Sequence, residues 1–384
     1  MSLRVAIFGS TGSIGVNSLD VISRLMGMFK ITAISGGSNI DLLARQAKKF
    51  RPKFVCVGDE RLAKAIKPAL PRGAAVLCGQ DGLNRISSSP EVDIALFAIS
   101  GNACLVPLLN AIRNKKRIAL ANKEALVSAG GMVMRLAAKN GVKIVPIDSE
   151  HSAIFQCVDG REHDISRIYL TGSGGPLLDV PASKFDALPR GRILDHPKWR
   201  MGRKISVDSA TMMNKGLEII EAKYLFGISE DRIEVLVHPE AIVHSMVEFA
   251  DGAVLAELAV PDMRLPIQYA LTYPARTACP VRCVDFAASG GLTFRKPDVR
   301  KFPCLGLARE AAASEGTAPA VLCASDEEAV RCYLDRKIRF SDIPRTIESV
   351  LAKHKNKGNS NLTVARVLEA DLWAREEARS ICYH

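Results

Sequence analysis

Aromatic residues are scarce: phenylalanine, tryptophan and tyrosine make up 5% of 384 residues, and tryptophan occurs only twice. A surface that stacks nucleobases on aromatic rings is therefore not expected, and no nucleic-acid partner is expected. The net charge of +11 suits small anionic substrates as well as polyanions. No apolar run reaches the ~20 residues that a membrane-spanning helix needs, so no membrane partner is expected. The opening "MSLRVAIFGS" has an apolar run too short for a signal peptide and no transit-peptide character, from which a cytoplasmic location is expected. Ten cysteines are present, but even the closest pair, Cys279 and Cys283, lacks histidine or further cysteine at zinc-site spacing. Reduced, buried thiols are the expectation. There is no internal repeat and no low-complexity tract. A chain of this length that is 48% hydrophobic and 24% charged can bury a core and form two or three domains.

Short apolar runs without alternation occur at 3–8, 29–35, 53–58, 74–79, 92–100, 117–122 and 142–148, separated by helical patterns such as "LLARQAKKF". Such runs predict buried parallel strands, and the strand–helix alternation predicts an α/β fold with a Rossmann-like doubly wound sheet over 1–147. Residues 148–273 predict an α+β catalytic domain with a mobile lid loop at 196–204. Residues 274–298, with their proline, glycine and serine, predict a connecting stretch. Amphipathic patterns over 299–384 predict a C-terminal helical bundle.

"GSTGSIG" (9–15) follows the first strand and opens a helix. In that context, backbone N–H groups and the helix N-terminus can receive a pyrophosphate. The spacing G-x-x-G-x-x-G is a variant of the dinucleotide fingerprint, and a tight strand–helix turn without ligand is the plainer alternative. The second strand ends in "ISGGSN" with no Asp or Glu to bind a ribose 2′-hydroxyl. That absence, with Ser38 and Asn39 as donors, favours NADP(H).

In "PIDSEHSAIF" (146–155), Asp148 and Glu150 stand two apart at the end of an apolar run. In an extended segment both carboxylates would point to one side, at the strand edge where open α/β sheets bind ligands. A third carboxylate can come from "DSATMMNKGLEIIEA" (208–222), read as one helix with Met213, Leu217, Ile220 and Tyr224 on its apolar stripe. Asn214, Lys215 and Glu218 share another face, with Glu221 as the rival third ligand. Three carboxylates suit a hard ion such as Mg²⁺ or Mn²⁺; ion pairs on a solvated face are the alternative. "HPKWRMGRK" (196–204) can close over an anionic substrate, with Trp199 as cap and Gly202 as hinge, or can be an exposed basic loop. "TGSGGP" (171–176) resembles an anion-binding nest, which with Ser209, Asn214 and Lys215 makes a phosphate site plausible. Lys123, in "ANKE", lands at the functional edge of the sheet. His196, His238 and His244 are each weak signals alone, and His354 and His384 read as surface residues.

Together "GSTGSIG", "LANKE", "DSEHSAIFQ", "LTGSGGP", "HPKWRMGRKISVDSATMMNKGLEIIEA", "VHPEAIVHSMVEFADGAVLAEL" and "PDMRLPIQYALTYP" resemble the 1-deoxy-D-xylulose 5-phosphate reductoisomerase family, from residue 4 to about 274 in register. In the tail, Asp326 stands where that family usually shows Asn. The resemblance implies rearrangement and NADPH-dependent reduction of a small phosphorylated sugar, 1-deoxy-D-xylulose 5-phosphate, to 2-C-methyl-D-erythritol 4-phosphate, the committed step of the non-mevalonate isoprenoid route. It implies Asp148, Glu150 and Glu218 as ligands of Mn²⁺ or Mg²⁺ (or Co²⁺), with Lys123 against the same substrate oxygens. It implies Ser149, Ser173, His196, Trp199, Met201, Ser209, Asn214 and Lys215 as substrate-binding residues, with Trp199 and Met201 in the lid. Thr11, Gly12, Ser13, Ile14, Gly37, Ser38, Asn39, Asn122, Glu124 and Gly202 are implied cofactor contacts, His151 and His244 active-site neighbours, and the assembly a homodimer. Two rival readings are a metal-dependent Rossmann dehydrogenase of a phosphorylated hydroxy acid, without skeletal rearrangement, and a basic NADP-sensing or nucleic-acid-binding protein that would tolerate Glu150→Gln.

Overall fold

The structure, a computed structural model, describes residues 2–25, 27–358 and 362–383. It divides into two compact units: residues 1–125, 133–152 and 262–281, and residues 126–132, 153–261 and 282–384. Residues 262–273, expected with the catalytic domain, thus group with the nucleotide-type sheet, and the helical tail groups with the second unit.

The first unit is built on seven parallel strands: β1 (Leu3–Phe8), β2 (Phe29–Ser35), β3 (Phe54–Val57), β4 (Ala75–Cys78), β5 (Ile94–Phe97), β6 (Arg117–Leu120) and β7 (Ile144–Pro146). Their order is β4-β3-β2-β1-β5-β6-β7, so the direction of winding reverses between β1 and β5. Central strands such as β3 and β5 are buried along their whole length, as their unbroken apolar runs predict. Pro146 is tolerated because β7 is an edge strand.

The glycine turn lies at the reversal between β1 and β5. Gly9 has φ +92°, and a Cβ there would stand 2.6 Å from the carbonyl oxygen of Ala98, just beyond β5. A Cβ on Gly15 would stand 2.2 Å from the Gly9 carbonyl oxygen, so the helix Ser13–Arg24 can start this close to β1 only without a side chain. The turn is also tied to β2. Ser10 Oγ meets the Ser35 carbonyl (3.1 Å) and Gln46 Oε1 (2.7 Å), Gln46 Nε2 donates to the Ser10 carbonyl (2.8 Å), and Ser35 Oγ accepts the Gly9 N–H (2.9 Å). All three side chains are buried. Their mutual satisfaction offsets the desolvation of each polar group.

The second unit holds a mixed sheet of β8 (Ile165–Gly172), β9 (Ile233–Val237), β10 (Val243–Phe249) and β11 (Val254–Leu258), in the order β11-β10-β8-β9. Inward residues of β8, β9 and β10 share one apolar core with Met213, Leu217 and Ile220 and with the tail residues Phe302, Leu305, Leu322, Val330 and Ile347. Four tail helices, Pro303–Ser314, Ala318–Leu334, Asp342–Lys353 and Val364–Tyr383, fit the expected bundle. The second starts well before the amphipathic "EEAVRCYLDRKI", because residues 318–326 are buried on every side and so show no stripe.

Three local expectations are overturned. Asp148–Glu150 is not extended: the helix Ser149–Val158 begins at once, and Asp148 Oδ1 accepts the Glu150 N–H (3.2 Å) as a helix-capping carboxylate does. The span 208–222 is not one helix but parts of two, Arg203–Thr211 and Met213–Phe226, broken at Met212 with φ +60°. His354 is half-buried rather than superficial; it bonds Thr317 Oγ1 (2.9 Å) and lies 5.2 Å from the Trp373 ring. His384 and the expected start of the last helix at Asn361 lie outside the described residues. All ten cysteines are free; seven are buried, while Cys78 and Cys279 are half-buried and Cys283 is exposed.

Replacing Gly15 with alanine forces Cβ into the Gly9 backbone, an overpacking that costs about 1–3 kcal/mol. Gly15→Ala is therefore expected to lower the thermal midpoint and to weaken dinucleotide binding in a fluorescence titration. Unchanged values for both would contradict the close approach described for this turn.

Candidate active site

In the first unit, the N-terminus of Ser13–Arg24 carries no side-chain cap, since Gly12 stands at the N-cap position. The first backbone N–H groups, those of Ser13 and Ile14 among them, are thereby left to an anionic ligand. Thr11 packs against Gly36, where a Cβ would be 3.0 Å from its methyl group, so the turn and the tip of β2 adjoin. Gly37, Ser38 and Asn39 are exposed there. Asn39 Oδ1 caps the helix Ile40–Phe50 through the Leu42 N–H (3.1 Å), leaving its amide nitrogen as the outward donor. Asn122 is turned inward. Its Nδ2 bonds the carbonyls of Ile99 (2.8 Å) and Gly101 (3.1 Å) and Glu124 Oε2 (2.7 Å), while its Oδ1 caps the next helix at Ala125.

At the end of β7 the buried Lys123 ammonium forms an ion pair with Asp148. His151 is fully buried, with Nδ1 3.2 Å from Asp148 Oδ1. Ser149 Oγ donates to Glu150 Oε2 (2.7 Å). Asp148, Ser149 and Glu150 are half-buried in a helix start, where the positive end of the dipole favours carboxylates.

In the second unit, the helix Met213–Phe226 presents Asn214, Lys215 and Glu218 together. Asn214 Nδ2 donates to Glu218 Oε1 (2.6 Å), and Lys215 Nζ reaches Glu218 Oε2 and the Thr171 carbonyl (2.7 Å). Glu218 is 0% exposed. A buried carboxylate needs such partners to remain charged. Glu221 is buried too, three residues on. Gly172 makes room for the lysine stem, since a Cβ there would be 2.9 Å from Lys215 Cε. The loop "TGSGGP" turns through positive φ at Gly174 (+85°) and Gly175 (+69°). A Cβ on Gly175 would stand 2.6 Å from the Ser209 carbonyl oxygen, so the nest lies against Ser209.

His196 Nε2 lies 3.0 Å from Ser173 Oγ, and its Nδ1 accepts the N–H groups of Lys198 (3.2 Å) and Trp199 (2.9 Å). Because Nδ1 accepts, the neutral ring carries its proton on Nε2 and donates to Ser173. Ser173 Oγ also receives the Gly175 N–H (3.3 Å), which leaves its own proton to donate elsewhere. Burial, and then the charge of Lys215, push His196 down to about 4. Trp199 lies 6.2 Å from the His244 ring, and His244 is buried. Trp199 and Met201 are half-buried, and Gly202 is exposed at the N-cap of Arg203–Thr211. His238 is structural: Nδ1 meets the Thr293 carbonyl (2.9 Å), Nε2 accepts two backbone N–H groups, and the ring stacks on Phe294 (4.7 Å).

Residues 5–130 match the family profile for 1-deoxy-D-xylulose 5-phosphate reductoisomerase, 144–226 that of its C-terminal domain, and 258–377 that described as DXP reductoisomerase C-terminal domain. A 1-deoxy-D-xylulose 5-phosphate reductoisomerase of Acetivibrio thermocellus is 49% identical over 380 residues, covering 98% of this chain and 99% of the relative. The chain belongs to the 1-deoxy-D-xylulose 5-phosphate reductoisomerase family. The reductoisomerase of Desulfosudis oleivorans is 48% identical over 381 residues, covering 98% of this chain and 99% of its own. Among solved structures, the Zymomonas mobilis reductoisomerase in complex with NADPH superposes with a TM-score of 0.92 at 39% identity, covering 100% of this chain and 99% of that one. A DOX-P reductoisomerase in complex with NADPH, fosmidomycin and magnesium superposes with a TM-score of 0.94 at 39% identity, covering 99% and 98%.

Several supporting residues carry little signal in the sequence: Ser10, Ser35 and Gln46 behind the glycine turn, and Thr171, whose carbonyl receives Lys215. The available signal was weak, a polar residue at a position where strand or helix periodicity demands an apolar one.

Two outcomes follow. The lowered His196 pKa keeps the ring neutral above pH 6, so its imidazole resonances should titrate near 4 and not between 6 and 8; a midpoint near 6.5 would contradict the buried acceptor role of Nδ1. As pH falls from 6.5 towards 4 the unfolded chain binds the proton first, so this residue's contribution to stability is lost over that window. Lys215→Met leaves Glu218 buried without its cation and should cost about 3–5 kcal/mol in urea denaturation, much of it recovered in Lys215→Met/Glu218→Gln. An equal loss in the double variant would show that the pair is not the source.

Proposed function

We propose that the chain binds its substrate phosphate with the second-unit cluster of Ser173, His196, Ser209, Asn214 and Lys215, and one divalent cation with Asp148, Glu150 and Glu218. The enzyme is an NADPH-dependent 1-deoxy-D-xylulose 5-phosphate reductoisomerase that forms 2-C-methyl-D-erythritol 4-phosphate. The observation that carries the site assignment is the pairing of carboxylate with lysine, Asp148 with Lys123 and Glu218 with Lys215. Each lysine is bonded to its carboxylate within the fold. An all-oxygen donor set of this kind fits Mg²⁺ or Mn²⁺. The uncapped helix N-terminus and the glycine approach at 9–15 fit the pyrophosphate of NADPH.

A bound cation supplies Lewis acidity to the substrate's neighbouring carbonyl and hydroxyl oxygens, and NADPH supplies the reducing equivalents. The chain's own residues hold and orient. Lys123 places a second positive charge beside Asp148, towards the oxygens on which negative charge develops. Ser173 donates its hydroxyl proton to the phosphate, oriented by the neutral His196. Lys215 adds charge and Ser209 a further hydroxyl. Trp199 and Met201, on the loop 196–204, cover the substrate and exclude water, with Gly202 as the hinge. Thr11, Gly12, Ser13 and Ile14 hold the pyrophosphate, and Gly37, Ser38 and Asn39 hold the adenosine end. Asn122 and Glu124 are further contacts of the cofactor.

In functional terms, 1–147 serves the cofactor, 148–273 the metal and substrate, 274–298 connects, and 299–384 buttresses. A homodimer is supported by β11, an edge strand that exposes Val254 and Leu255. A cytoplasmic site of action accords with the finding that no helix among the described residues is long and apolar enough to cross a membrane.

Glu150→Gln removes one anionic ligand while leaving the glycine turn untouched. Turnover should fall by at least about 10²-fold with NADPH affinity within about twofold of wild type. Near-normal turnover in this variant would remove Glu150 from the metal site.

A further inference from the structure

Two carboxylates outside the proposed metal site converge on one ammonium group. Lys204 Nζ lies 2.6 Å from Asp208 Oδ2 and 2.8 Å from Asp326 Oδ2. Asp208 is 2% exposed and Asp326 is 0% exposed, whereas Lys204 keeps about a third of its side chain in solvent. Asp326 sits on the helix Ala318–Leu334, which is buried over most of its length. Lys204 and Asp208 sit four residues apart on the helix Arg203–Thr211. Nearby, the Cys304 thiol is raised by burial and then by the charge of Asp326, which marks the surroundings as poorly solvated. One carboxylate would balance the charge of the lysine. The second, reaching from a different helix, makes the lysine a tie between Arg203–Thr211 and Ala318–Leu334.

The helix so tied is short and begins where the loop 196–202 ends. Ser209, against which the glycine nest packs, follows Asp208 directly. Gly202 precedes Lys204 by two residues. The chain on both sides of the tie therefore carries groups assigned above to the substrate.

We propose that Lys204, through Asp326, is a positioning residue that sets Ser209 and the C-terminal end of the loop 196–202 for binding of the substrate phosphate. This rests on the phosphate reading of the second-unit cluster. A buried tie of this kind acts on substrate affinity, because a misplacement of about 1 Å can cost up to ~10²-fold.

Steady-state kinetics of the full-length enzyme test it, with thermal midpoints recorded for each variant. Lys204→Met is expected to raise KM for 1-deoxy-D-xylulose 5-phosphate by about tenfold, with kcat within about threefold and KM for NADPH unchanged. Lys204→Arg and Asp326→Asn, which keep a donor and an acceptor respectively, are expected to stay within about threefold of wild type in KM. If Lys204→Met does not fold, Asp326→Leu is read in its place, with the same tenfold rise expected. A lowered thermal midpoint with unaltered substrate KM overturns the proposal, since a merely structural tie would do only that. Ser173→Ala separates the two levels: if it too leaves the substrate KM unaltered, the phosphate reading fails; if it raises KM while Lys204→Met does not, the positioning role alone fails.

Discussion

The Glu218 carboxylate is held inside this protein by a lysine buried with it. Glu218, fully enclosed in the helix Met213–Phe226, is held by Lys215 and Asn214, and Lys215 is itself anchored on the Thr171 carbonyl of β8. The same device recurs in the first unit, where Lys123 at the end of β6 meets Asp148 at the end of β7. Such pairs add little net stability, because desolvation of both charges opposes their attraction. What they provide is carboxylate oxygens at defined places.

Much else in the two units serves this placement. Gly172 has no side chain where the Lys215 stem passes, and Gly175 brings the nest loop onto Ser209. Met212 takes a left-handed conformation that ends one helix and starts the next, so Ser209 and Asn214 lie on separate axes. His196 is held neutral by burial and by the charge of Lys215, accepts two backbone N–H groups at Nδ1, and in turn orients Ser173. In the first unit, Gly9 and Gly15 let backbone approach backbone, and the buried Ser10–Ser35–Gln46 set locks that turn onto β2. The glycine turn and the nest loop thus rest on closely packed parts.

The parallel sheet was legible because strands covered on both faces are written as unbroken apolar runs; β1 and β2 match their runs residue for residue. The Asn214–Lys215–Glu218 face was legible because helical spacing alone makes those residues neighbours. The break at Met212 was not, since "TMMNKG" offers Asn214 and Gly216 as natural sites for positive φ and the chain uses a methionine instead. Asp148–Glu150 reads as extended because an apolar run precedes it, although an aspartate followed by an acidic first turn is a helix-start pattern. The supporting residues Ser10, Gln46 and Thr171 look in sequence like any solvated polar residue. Only packing reveals that they are buried and paired.

The central proposal is that Asp148 and Glu218, each held by a lysine, form one metal site together with Glu150. Titration of the cofactor-free protein with Mn²⁺, following free Mn²⁺ by its electron paramagnetic resonance signal, tests it most directly. One site per chain is expected in the wild type and loss of that site in Glu218→Gln, with the fold intact by circular dichroism. Undiminished Mn²⁺ binding in Glu218→Gln would contradict it.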